Sequence, residues 1–83
     1  MRAINLLAPE VSLTSATDVA SALLVRCVTT LSAGTIVTRK TVGGATIGSC
    51  TVIPTEPTYI FKDPSDTLTS AGACSGASIT FMY

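Results

Sequence analysis

Asp63 and Asp66, separated by Pro64 and Ser65, form the one acidic pair that lies close together in this sequence. Two carboxylates and a hydroxyl are ligands of the kind that hold Ca²⁺, but such a site wants six or more oxygens, and nothing nearby supplies the rest. Pro64 at the second position of a type I turn, with Asp63 before it and Asp66 bonding the backbone that follows, makes the same four residues a connection between strands. The turn is the expected reading, without metal or cofactor. Nine serines invite the question of a nucleophile. A serine hydroxyl is weak without a base, and the chain has no His, no GxSxG and no workable Ser-Lys pair.

Cysteines stand at 27, 50 and 74. The odd count and the lack of a CxxC pair argue against a disulfide framework or a zinc site. Reduced thiols serving as small buried hydrophobes are expected, the alternative being a Cys27–Cys50 bridge formed in oxidising surroundings. Cys74, inside Ala71-Gly72-Ala73-Cys74-Ser75-Gly76, reads as an exposed loop thiol with no cationic neighbour to activate it. The glycines at 43 and 44, or at 72 and 76, do not make a phosphate loop, since no GK[ST] follows. Arg39 and Lys40 make a small basic spot. It is either a solvated strand end or a contact for an acidic protein partner. Five basic and five acidic residues leave a net charge of zero. Nucleic-acid binding needs a cationic surplus, so it is not expected. Catalysis is not expected either.

The elements that must position these residues are strands. Fourteen Thr, seven Val and six Ile stand against two Glu and no Gln, a composition that favours pleated strands over helix. Turn residues recur at short spacings, and short strands so punctuated predict a single all-β domain over 1–83, a compact antiparallel β-sandwich of six to eight short strands. Strands are expected near 2–7, 10–14, 22–30, 34–42, 45–53, 57–62, 67–70 and 77–83. Gly43-Gly44 predicts a two-residue type I′ turn that sets Val42 opposite Ala45, Val37 opposite Cys50 and Thr35 opposite Val52. One hairpin face then carries Val37, Cys50 and Val52, and the other Ile36, Val42, Ile47 and Ile53. Because both are apolar, alternation leaves the core side open. In the strand from Ala22, the set Leu23, Val25 and Cys27 is assigned to the core, with Arg26 at the rim. A short helix through 18–25, capped by Ser15, Thr17 or Asp18, is the alternative for that segment.

Apolar residues make up 47 % of the chain, and a chain this short buries only roughly 60–70 % of the surface its unfolded form exposes. The longest nearly apolar stretch, Val19 to Val25, is far short of the about 20 residues a spanning helix needs. MRAINLLAPE is too short in apolar residues for a signal peptide, so the expectation is synthesis in the cytosol and no membrane partner. Protein contacts, including copies of itself, must then cover the excess apolar surface. The final stretch Ala77–Tyr83 places Ile79, Phe81 and Tyr83 on one strand face. It reads equally as a last core strand or as an aromatic anchor against a neighbour. Arg39, Lys40, Phe81, Met82 and Tyr83 are therefore the candidate interface residues.

The Met-start strand ending in Ala8-Pro9, the segment Ala22-Leu23-Leu24-Val25-Arg26-Cys27-Val28, the Thr-rich hairpin 35–51 and the phrase Tyr59-Ile60-Phe61-Lys62-Asp63-Pro64-Ser65-Asp66-Thr67-Leu68 resemble small structural proteins of tailed bacteriophages. The resemblance implies an Ig-like or jelly-roll-like β module of the virion, made in the host cytoplasm. It implies a capsid decoration or cement protein bound in many copies to the major capsid protein, or a small neck or tail component. No catalytic residues carry over. A carbohydrate- or host-surface-binding sandwich is the rival from another class. Tyr59, Tyr83 and the abundant Thr favour it, and the absence of Trp opposes it.

Overall fold

The computed structural model describes residues 3–82, and every regular element among them is a strand. In chain order these are β1 (Ala3–Leu6), β2 (Val11–Ser12), β3 (Leu24–Val28), β4 (Thr35–Lys40), β5 (Thr46–Val52), β6 (Thr58–Phe61), β7 (Thr67–Ser70) and β8 (Ser75–Met82). All pairings are antiparallel. One sheet has the order β1-β8-β3-β6, with β2 also on β8; the other is β5-β4-β7. The segment after β2 crosses from the first sheet to the second. Leu13 donates its amide to the Cys74 carbonyl at 2.9 Å and accepts from Ser70 at 2.7 Å, while Thr17 and Leu68 exchange backbone bonds. First pairs with last, third with sixth and fourth with fifth, while the seventh meets the segment that follows β2 rather than β2 itself, a nested arrangement like that of a jelly roll.

Leu13, Val19, Val25, Cys27, Val37, Val52 and Leu68 fill the space between the sheets, each no more than 1 % exposed. This settles the core side of the β4–β5 hairpin as the one carrying Val37 and Val52. Of the opposite set, Ile36, Val42, Ile47 and Ile53 are all exposed. On β3 the expected alternation is half right. Val25 and Cys27 point inward, but Leu23 lies before the strand and is exposed, while Leu24 is 6 % exposed in a second cluster with Ala77 and Ile79. That cluster sits on the outer side of the sheet, where β8 and β1 bring Ile79, Phe81 and Ile4 beside Leu24.

Neither helix nor strand forms over 18–23. Val19, Ala20 and Ser21 take φ of 53°, 57° and 57°, and the Ala22 amide closes the turn on the Asp18 carbonyl at 3.2 Å. A left-handed turn costs roughly 1–2 kcal/mol per non-glycine residue. Burial of Val19 and Ala22 in the core offsets it.

The hairpin register is as expected at its far end, where Val37 faces Cys50 and Thr35 faces Val52. At the tip it differs. The register shifts between Arg39 and Lys40, leaving Ile47 without an opposite residue, and Thr41 pairs with Ala45 around a three-residue loop. Only Gly44 of the glycine pair has positive φ, at 92°. The loop is thus a turn followed by one left-handed residue, a common hairpin form beside the expected two-residue type. Gly44→Val is accordingly expected to cost about 1–2 kcal/mol in urea melts. Gly43→Val should cost little, since a side chain there meets only Thr41 Oγ1, at 3.9 Å.

Candidate functional site

The acidic pair lies in the tight turn between β6 and β7, where Asp66 donates its amide to the Asp63 carbonyl at 3.0 Å. The Asp66 carboxylate is turned inward. One oxygen, Oδ2, accepts from Arg39 Nε at 2.8 Å, from Arg39 Nη2 at 2.6 Å and from the Asp63 amide at 3.3 Å. Arg39 reaches it because it shares the inward face of β4 with Val37 and lies opposite Leu68 of β7. The guanidinium expected to meet an acidic partner is therefore engaged within the molecule. Lys40, next along β4, is half-buried opposite Thr46 and Thr67. Sequence reasoning missed Lys62. It is 4 % exposed, and its ammonium donates to the Asp63 and Pro64 carbonyls at 3.2 and 3.5 Å. Burial lowers its pKa, and the nearby Asp18 and Asp66 pull the other way. Its apolar neighbours Ile60 and Phe61 gave no sign that an ammonium would turn inward beside them.

Bonding from Arg39 holds the Asp66 carboxyl below its usual pKa, against the opposing effect of burial. A depressed carboxylate stabilises the fold above its unfolded pKa of about 3.9 and loses that contribution as pH falls through the folded value. Arg39→Met should therefore lower the melting temperature at neutral pH. The gap from the parent should close below about pH 4, and thermal melts across that range measure it.

The cysteines are free thiols. Cys27 and Cys74 are buried as small hydrophobes, which corrects the expectation of an exposed Cys74. Cys50 is the exposed one. Burial, with the neighbouring thiols of Cys74 and Cys50, pushes the Cys27 pKa up to about 12. At neutral pH it is a thiol without nucleophilic character. Among the described residues no group of three or more His, Cys, Asp or Glu is placed to hold a metal.

What the fold leaves open is apolar surface. Phe61 is 73 % exposed and Leu6 67 %, with Leu7, Leu23 and Tyr59 also exposed on that sheet's side. Leu7, Leu23, Phe61 and Phe81, together with the left-handed turn, line a groove of about 540 Å³. On the other sheet Ile36 is 52 % exposed, and Val42, Ile47 and Ile53 are bare beside it. Phe81 is half-buried against the outer cluster, its ring 5.0 Å from that of Tyr59 at a 57° tilt. Met82 ends β8, and its side chain, like all of Tyr83, lies outside the described residues. The C-terminal strand is thus a full member of the sheet, and Phe81 packs on its outer face rather than between the layers. Phe81→Ala should cost about 1–2 kcal/mol, below the 3–5 kcal/mol of a fully buried Phe, as judged by urea denaturation.

The fold and its surfaces define a small jelly-roll β-sandwich with bare apolar outer faces. No protein family, curated protein or solved structure matches the chain.

Proposed function

We propose that this chain is a non-enzymatic structural protein of a phage virion, acting as a capsid decoration protein that binds the major capsid shell in many copies. The carrying observation is the exposure of Leu6, Phe61 and Ile36 on the outer sides of both sheets of an 83-residue chain, with Val42 bare at the hairpin tip. Exposed apolar area of this kind marks protein contacts. A module with apolar surface on two sides suits a repeating assembly, where each copy meets more than one neighbour. The jelly roll is a recurrent scaffold of capsid proteins, which supports the reading by analogy of fold. It is also a lectin scaffold, but Tyr59 leans on Phe81 rather than standing as a free sugar platform.

A stain-quantified gel of purified particles of the phage that encodes the chain tests the proposal. Copy number comparable to the major shell protein is expected. A few copies per particle would instead place it in the neck or tail. Absence from particles, with glycan binding by the isolated protein, would overturn the virion reading.

A further inference from the structure

β5 is the free edge of its sheet, and of its seven residues only Val52 is buried. β6 is one edge of the other sheet, whose opposite edge is β1. Between β5 and β6 lies a groove of about 200 Å³ reached by Val37, Ile47, Cys50, Ile60 and Phe61. The far side of the sandwich is stitched shut by the backbone bonds through Leu13 and Thr17. The β5–β6 side has no such stitch. Gly48 and Cys50 stand opposite Arg39 and Val37 on the inward face of the hairpin, yet both are exposed, because nothing lies over them.

We infer that this seam is where a second copy of the chain docks, edge to edge, about a twofold axis perpendicular to the sheets. Such an axis runs β5 antiparallel to the partner's β5 and sets β6 against the partner's β6, so that each layer continues into the same layer of the other copy. The contact is isologous, and it requires a surface that does not repel itself. That requirement is met. Neither β5 (TIGSCTV) nor β6 (TYIF) contains a charge or a proline, two of the devices by which edge strands ordinarily refuse one another, and the bulge at Ile47 lies near one end of β5, leaving 48–52 regular for pairing. The groove's one charged group, Arg39, is neutralised by Asp66. Seven residues of strand span about 23 Å. With the molecule's shortest dimension of 19 Å, the seam covers roughly 900 Å² over both copies, the low end of specific interfaces. The dimer therefore dissociates on dilution instead of being obligate. This inference rests on the seam alone and is independent of the virion reading.

Sedimentation equilibrium over a wide concentration range tests it. The parent mass should rise from 8.5 kDa toward twice that value. Ser49→Lys, at an exposed position in the middle of β5, brings two like charges together across the axis. It should weaken association at least about tenfold without changing the melting temperature of the dilute protein. Ser15→Lys, exposed in the crossing that closes the far side of the sandwich, should leave association unchanged. A parent monomeric at every concentration, a Ser49→Lys dimer as tight as the parent's, or a larger loss from Ser15→Lys each overturns the inference. Should Ser49→Lys fail to fold, hydrogen exchange of the parent decides. Protection of β5 amides that grows with concentration supports the dimer, and protection that does not change refutes it. A dimer found in solution and a chain absent from particles would sink the virion proposal and leave this one intact.

Discussion

Gly34→Val is expected to lower stability by about 3 kcal/mol or more, a large share of the roughly 4–12 kcal/mol available to a domain of this size. Two costs add at this position. Gly34 has φ of 76°, a left-handed conformation that costs a side-chain-bearing residue about 1–2 kcal/mol, and more when it is β-branched. A Cβ there would also lie 2.6 Å from the Val52 carbonyl oxygen. That atom is backbone, so it cannot swing aside without disturbing the Thr35–Val52 pairing that begins the β4–β5 hairpin. The turn itself is held by the Gly34 amide on the Leu31 carbonyl at 2.9 Å. Gly34→Asn separates the two costs, because Asn tolerates the left-handed region but still brings a Cβ. Urea midpoints ordered parent above Asn above Val are the expected result. A Val variant with a parent-like midpoint would mean that the chain enters β4 by a different turn.

Leu13→Ala should cost about 2–5 kcal/mol, toward the upper part of that range. Leu13 is wholly buried, and its backbone joins the two sheets through Cys74 and Ser70. A Cβ on Gly76 would come within 3.1 Å of its side chain. The neighbour is thus a glycine, with no side chain to relax into the space left by truncation. The converse change, Gly76→Ala, should also destabilise, since the new methyl would press on Val25 Cγ1 at 3.0 Å as well as on Leu13. The double variant should lose less than the two single losses combined, because each change makes room for the other. Strict additivity in a double-mutant cycle of urea melts would show that the two positions are not in contact.

The Asp63–Asp66 turn and the far register of the β4–β5 hairpin were legible because they depend on residues a few positions apart. Other features of the surface were not. Arg39 was read as a surface charge, yet its partner Asp66 is 27 residues away and meets it only after β4 and β7 pair. Likewise, Leu23 and Leu24 are indistinguishable in sequence. Their opposite fates follow from where β3 begins and from the second cluster that β8 builds on the outer side of the sheet. The left-handed Val19–Ser21 turn had no glycine to announce it.

Strand content and strand positions followed from composition and punctuation. Thr, Val and Ile favour the pleated backbone residue by residue, and Pro, Gly and Asp interrupt it locally. The order of the strands, the choice of Val37 and Val52 as the inward hairpin face, and the seam between β5 and β6 belong to the tertiary structure alone. When both faces of a strand are apolar, its own residues cannot say which will be covered. That is decided by which distant segment packs against it, here the Leu13–Thr17 crossing that closes one side of the sandwich and leaves the other open.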